Sequence, residues 1–315
     1  SAILFAGAKP VLVDLVAQRP WLDLDALDRC MNRNTVAIVA INFLGIRERI
    51  ASLRAKAAAS DAVLIEDSAQ SFPLDAQDIG ELSGDLMVLS FGRGKPVSLL
   101  GGGAVLVRDT ALSRLLPQRA VRANDMRARV RFRLQIAAYN FLRRPSAYWL
   151  LEALPFLGLG QTVFKPLPAI EPPIPSLDAL GANIDAYRQG GQAQRGWRTM
   201  LADRKPRGVV DLAAVCGANV TTRLLRYPLL VDNVARDHVH TALQRAGLGS
   251  SRLYQQVLPT VVGIPESVRA QGEFPNAARF AASLITLPTH DNVTERDIAR
   301  TIAIIEAETP RASAL

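Results

Sequence analysis

The chain has 315 residues, 49% hydrophobic and 21% charged, enough to bury the core of a large domain with a smaller one beside it. Two cysteines, Cys30 and Cys216, and three histidines exclude a disulfide framework and a CxxC zinc site, and no metal is expected. The formal net charge is +8, but residues 119–144 alone carry eight arginines against one acid, Asp125, so the basicity is local and no nucleic-acid partner is expected.

The opening "SAILFAGAKPVLVDL" reads as a helix end, a Gly turn and a strand over Val11–Asp14. It starts in the middle of a unit, so an upstream segment is expected, and no signal peptide is read. Further strands are predicted at Ala37–Asn42, Ala62–Glu66, Met87–Phe91 and Ala104–Val107, with an Ala/Arg-rich helix, "RERIASLRAKAAASDA", ahead of the third. Continuously apolar strands separated by helices indicate α/β architecture with a mostly parallel sheet covered on both faces.

Residues 111–175 break that rhythm. They run from an Arg-rich amphipathic helix through the apolar "YWLLEALPFLGLG" to "PLPAIEPPIP", where proline blocks regular structure. The apolar stretch is too short to span a bilayer. A long helix is predicted at Leu177–Asp203, then a strand at Leu225–Val231, helices at Ala235–Ala246 and Pro275–Ala282, a strand at Leu284–Leu287 and a helix at Thr294–Glu308. Thr294, Glu295 and Asp297 supply its start signal. His238 and His240 fall on different faces of their helix and read as surface residues. The division expected is a large unit over 1–175, with 111–175 as a basic and apolar insertion, and the long helix with a small C-terminal α+β domain over 176–315.

Two strand ends carry the polar residues. "VLIEDSAQS" ends one strand with Glu66, Asp67 and Gln70; "LMVLSFGRGK" ends the next with Ser90 and Lys95. Parallel α/β sheets bind ligands beyond the carboxyl ends of their strands, so these side chains are expected to converge at one sheet edge. A carboxylate, an amide, a hydroxyl and an amine beside small residues suit pyridoxal phosphate. The amine can form a Schiff base with the aldehyde, the carboxylate can hold the pyridine nitrogen protonated, and the hydroxyl can bind the phosphate. The glycines beside the lysine leave room, and Gly101–Gly103 permits positive φ. The same residues would also suit a solvated lysine in a Gly-rich loop and a helix-capping acid; Glu66 reads as a capping or supporting residue.

The ordered set Asp67–x2–Gln70, Ser90–x4–Lys95 and "GGGAVLV" resembles the DegT/DnrJ/EryC1/StrS family of sugar aminotransferases. Further matches are "AGAKPVLVD" at 6–14, "NFLG" at 42–45 and "PNAARFAASLITLPTH" at 275–290, so the likeness covers most of the chain except 120–220. It implies fold type I, with Lys95 as the Schiff-base lysine and acid/base, Asp67 on the pyridinium, Gln70 near the ring's phenolic oxygen and Ser90 on the phosphate. It also implies a cytoplasmic homodimer that moves an amino group from glutamate or glutamine to a nucleotide-linked keto-sugar, in surface polysaccharide or related glycan biosynthesis.

The chain departs from the family pattern at the substrate side. The family's phosphate-binding Gly-Thr turn and ring-stacking residue would lie upstream of Ser1. "LGANIDAYRQGG" stands where a partner-reaching stretch is usual, leaving Asn183 as its candidate, and "RLYQQ" leaves Tyr254 without the neighbouring histidine. Arg93 and His290 complete the substrate candidates. The alternatives are a sugar dehydratase, which usually has histidine in place of the lysine, or a binding or regulatory module that has lost turnover. Trp149, Tyr148 and Phe156 read as packing, and the arginine-rich segment as an appended surface outside the site, with an anionic membrane as its candidate contact.

Overall fold

A computed structural model describes residues 1–74, 84–108, 110–116, 126, 130, 132–137, 163–169, 179–218 and 222–309. Most of the arginine-rich stretch, Tyr148–Gly160 and residues 170–175 lie outside the described residues.

The first unit is a four-stranded sheet in the order β1 (Ala37–Ile41), β2 (Val63–Asp67), β3 (Leu86–Ser90), β4 (Gly103–Val107). The first three strands are parallel and β4 runs antiparallel to β3. Helix α1 (Leu24–Cys30) is started by Asp23, whose Oδ1 accepts from the amides of Asp25 and Ala26 at 2.9 and 3.0 Å. Helix α2 (Ile50–Ala59) places Ile50, Leu53 and Ala57 on one face, at the spacing of successive turns. That face packs on Ile38, Ala40 and Leu64 of the sheet. Burial of Leu53 and Leu64 contributes roughly 1.5–3 kcal/mol each.

The turn into β4 depends on Gly103, which pairs with Ser90. A Cβ at Gly103 would lie 2.4 Å from the Leu89 carbonyl oxygen, so only glycine lets the strands approach. Gly103→Ala is expected to cost about 1–3 kcal/mol, read as a lower urea midpoint at unchanged m-value.

No strand forms at Val11–Asp14. Leu12 N–H donates to Gln271 Oε1 at 2.8 Å, and the Asp14 carboxylate accepts from the amides of Asn276 and Ala277 at 3.1 and 2.9 Å. This backbone finds side-chain partners from far along the chain instead of a neighbouring strand, and Asp14 caps a helix of the second unit.

The single long helix is two. Helix α3 (Leu180–Gln189) ends at Gly190, and α4 (Gln192–Arg204) starts after Gly191 at φ +99°. α3 lies against the first unit: Arg188 Nε donates to Leu74 O at 2.8 Å and Tyr187 meets Phe72 edge-on at 5.8 Å. α4 lies in the second unit, where Trp197 is buried and its Nε1–H donates to Pro288 O at 2.8 Å.

The second unit carries an antiparallel sheet, β5 (Val209–Asp211), β6 (Tyr227–Val231), β7 (Leu284–Leu287). Helices α4, α5 (Asn233–Arg245), α6 (Pro275–Ser283) and α7 (Glu295–Glu308) bury Trp197, Val239, Leu243, Phe280 and Ile298 against it. β5 was not foreseen: three residues are too few to show a period. The predicted start of α7 is present as a reciprocal box, in which Thr294 Oγ1 accepts from Asp297 N and Asp297 Oδ2 accepts from Thr294 N. His240 is half-buried, with Nδ1 2.9 Å from Ser250 Oγ, whereas His238 is exposed. Ile46 belongs to this second core, and Leu225 N–H donates to Leu44 O at 2.9 Å, so the turn after β1 joins the two units. Among the described residues, no helix is long and apolar enough to cross a membrane.

Candidate active site

Strand β2 alternates: Leu64 and Glu66 are buried on one face, and Asp67 falls on the other. Asp67 Oδ1 accepts from Ala69 N–H at 3.0 Å, and Oδ2 has no hydrogen bond among the described residues. Behind it Glu66 is fully buried, accepting from the Gly84 amide and, at 3.5 Å, from Asn42 Nδ2, which also donates to Ser68 Oγ at 2.8 Å. Burial pushes the Glu66 carboxyl above the ordinary range; the Gly84 and Asn42 donors only partly offset it.

A carboxyl with a raised folded pKa keeps a proton that the unfolded chain releases. Its contribution is complete below the unfolded pKa of about 4.3 and is lost as pH rises through the folded value. The stability of the wild type minus that of Glu66→Gln should therefore fall as pH rises from 4 towards neutrality, measured by urea unfolding at each pH. A difference that grows with pH would contradict this.

Gln70 is fixed at both ends. Its Oε1 accepts from Leu44 N–H at 3.0 Å, and its Nε2 donates to the Tyr254 hydroxyl. Leu44 and Gly45 bend left-handed, at φ +53° and +97°, to aim that amide. Tyr254 is itself left-handed at φ +55°, a conformation uncommon for a bulky residue, and its ring lies 5.8 Å from Phe43. Burial and the Asp67 charge raise the Tyr254 hydroxyl above its usual range, so it stays protonated at neutral pH.

Ser90 ends β3, and its Oγ accepts from Gly92 N–H at 3.3 Å. The bare α-carbon of Gly92 lies between Ser90 and Lys95: a Cβ there would stand 3.4 Å from Ser90 Oγ and 3.7 Å from Lys95 Cγ. The Lys95 amine makes no ion pair or hydrogen bond among the described residues. Asn183 of α3 donates from Nδ2 to Ser98 O at 2.9 Å, fastening the loop that carries Lys95.

These residues open into one cleft of about 980 Å³ between the two units. Gln70, Arg93, Lys95, Asn183, Tyr254 and His290 all line it; Asp67 and Ser90, the last residues of β2 and β3, are not among its lining residues. Two contributions were not foreseen. Phe132 and Ile136, one helical turn apart, line the cleft from within the arginine-rich segment, so that segment is not only an appended surface. Arg223 and Arg226 enter from the stretch before β6. The signal for them was two arginines in "TTRLLRYP" directly before a buried strand. Arg226 is tied down, donating to Thr286 Oγ1, Gly249 O and Thr286 O at 2.7, 2.8 and 3.0 Å.

A mostly parallel sheet with a carboxylate and a hydroxyl at its strand ends and a lysine in the loop beyond, facing a smaller antiparallel unit across a cleft, is the architecture of fold type I. The family model for the DegT/DnrJ/EryC1/StrS aminotransferase family matches residues 1–142 and 195–306, and the chain belongs to that family of pyridoxal-phosphate-dependent aminotransferases. The match extends further than the motifs alone indicated, and takes in most of the arginine-rich stretch. The chain is 29% identical over 307 residues to a UDP-N-acetyl-3-dehydro-alpha-D-glucosamine 3-aminotransferase of Acidithiobacillus ferrooxidans, covering 96% of this chain and 73% of that one. It is 24% identical over 293 residues to a dTDP-3-amino-3,4,6-trideoxy-alpha-D-glucose transaminase of Micromonospora megalomicea, covering 91% and 69%. In fold it is similar to a DegT DnrJ EryC1 StrS aminotransferase from Brucella abortus, with TM-score 0.67, 18% identity, and coverage of 98% of this chain and 76% of that one.

The residues present fit pyridoxal phosphate. Among the described residues, Lys95 offers an amine with no ion pair and Asp67 a carboxylate oxygen with no hydrogen bond, and Ser90 offers a hydroxyl next to the space that a Cβ on Gly92 would fill.

Proposed function

We propose that Lys95, Asp67, Ser90 and Gln70 hold pyridoxal phosphate, and that the chain moves an amino group from glutamate to a keto-sugar carried on a nucleotide. The carrying observation is Lys95, which lines the cleft with no ion pair to its amine among the described residues, while Ser90 and Asp67 stand at the ends of neighbouring strands. When bound, the cofactor supplies an electron sink for the carbon that loses its proton. Lys95 Nζ takes that proton from the donor's α-carbon and delivers one to the acceptor carbon in the return half. The Asp67 carboxylate sustains a positive charge on the ring nitrogen, which an uncharged side chain cannot do as well. Ser90 Oγ–H donates to phosphate oxygens. Gln70 and Tyr254 form a fixed polar edge on the substrate side, with Arg93, His290 and Asn183 around it.

The nucleotide-sugar acceptor is supported by the names of the two relatives, one acting on a UDP sugar and one on a dTDP sugar. A homodimer in the cytoplasm, within surface polysaccharide or related glycan biosynthesis, rests on the family likeness. The test is incubation of the protein with pyridoxal phosphate and glutamate, then with a UDP-linked 3-keto-sugar. The expected result is 2-oxoglutarate release in the first stage, amino-sugar formation in the second, and ping-pong kinetics. No keto acid from any amino donor would contradict it.

A further inference from the structure

We propose that Arg223 is the oxyanion-binding residue of the cleft, taking carboxylate or phosphate oxygens of substrates seated in front of Lys95. The inference rests on the reading of the cleft as the transamination site, and adds a residue that the strand-end motifs do not include.

Arg223 occupies a seat cut for its guanidinium. A Cβ on Gly191 would lie 1.6 Å from Arg223 Nη1, and one on Gly190 2.8 Å from Nη2. The two glycines that break α3 from α4 thus also form a bare shelf beneath the side chain. Tyr187 supplies a second wall, with Arg223 Cζ 5.1 Å from its ring centroid. The backbone is held as firmly: Gln194, nearly fully buried, accepts from Leu224 N–H at 2.9 Å and donates to Thr222 O. On the other side, a Cβ on Gly45 would lie 2.2 Å from Arg223 O, so the turn that positions Gln70 packs directly on this segment.

The guanidinium has no hydrogen bond and no carboxylate within ion-pairing distance among the described residues. It differs in this from Arg226, whose donors are taken up by Thr286 and Gly249. Among the described residues, Arg93, Lys95, Arg223 and Arg226 line the cleft against one carboxylate, Asp291, an excess of positive charge. A stacked, fixed guanidinium keeps its planar fork of N–H donors ready for two oxygens of one anion, and little side-chain freedom remains to be lost on binding. An amino donor's carboxylate and a nucleotide's diphosphate share this chemistry, and they enter the same cleft in turn.

The test is calorimetric titration of the protein, saturated with pyridoxal phosphate, with glutarate and separately with inorganic pyrophosphate. Wild type, Arg223→Gln and Arg223→Lys are compared. Arg223→Gln keeps the backbone contacts and should melt as the wild type does. It should weaken one or both anions about 10–100-fold, as expected for losing hydrogen bonds to a charged group. Arg223→Lys, with charge but no fork, should fall between. Loss confined to glutarate assigns Arg223 to the donor carboxylate, loss confined to pyrophosphate to the nucleotide diphosphate, and loss of both to a shared seat. Unchanged affinity for both anions, or no binding of either by the wild type, overturns the proposal. Pyridoxal phosphate uptake by each variant, followed by absorbance, is independent of Arg223. Its absence in the wild type would contradict the reading of Lys95, and the anion titrations would still report on Arg223.

Discussion

Lys95→Ala should lose transamination by about 10⁴-fold or more while leaving the fold intact. The magnitude follows from removing at once a covalent anchor and the group that carries the proton, since a positioned acid/base alone contributes about 10²–10⁴-fold. No second lysine lines the cleft to replace it among the described residues. Stability should barely change, because the Lys95 side chain makes no hydrogen bond or ion pair with described residues. A melting curve within a degree or two of the wild type, together with absent keto-acid release, is the expected pair of results. A variant that folds and still turns over at a tenth of the wild-type rate would remove Lys95 from its role.

Asp67→Asn should bind pyridoxal phosphate and lose about 10–1000-fold in kcat. A neighbouring carboxylate raises a cation's pKa by about 1–3 units, and an amide gives up that charge. The substitution is structurally mild: Asn Oδ1 can still accept from Ala69 N–H, as Asp67 Oδ1 does at 3.0 Å. The loss should therefore appear in kcat with little change in unfolding midpoint. A further effect follows from Tyr254, whose hydroxyl is raised in part by the Asp67 charge. In Asp67→Asn the tyrosine should titrate at lower pH than in the wild type, measured by ultraviolet difference spectra. An unchanged titration would separate the two side chains electrostatically.

The strand ends were legible because β1, β2 and β3 are short apolar runs whose last residues turn abruptly polar. Asp67 and Ser90 end their strands within one residue of the expected place, and Gln70 and Lys95 follow in the turns. The Val11–Asp14 stretch has the same apolar composition and forms no strand. Its partners, Gln271 and the start of α6, stand some 260 residues away, and no local pattern encodes such a pairing. The α3–α4 break had a visible cause in Gly190–Gly191, but helical periodicity on both sides masked it. What periodicity does not carry is which distant segments face the strand ends. Phe132, Tyr187 and Arg223 reach the cleft through the packing of a helical segment, α3 and the approach to β6, and each by itself reads as an ordinary core or surface residue. Charge counting was also misleading: the arginine-rich segment looked external because of its eight cations, whereas Phe132 and Ile136 within it turn inward.

The most direct test of the central claim is chemical trapping. The protein is mixed with pyridoxal phosphate, reduced with borohydride, digested, and its peptides are mapped by mass. A single pyridoxyl modification on Lys95, absent from Lys95→Ala and lost when glutamate is added before reduction, is the predicted result. Modification of a different lysine, or none above the level of an unfolded control, would contradict the account.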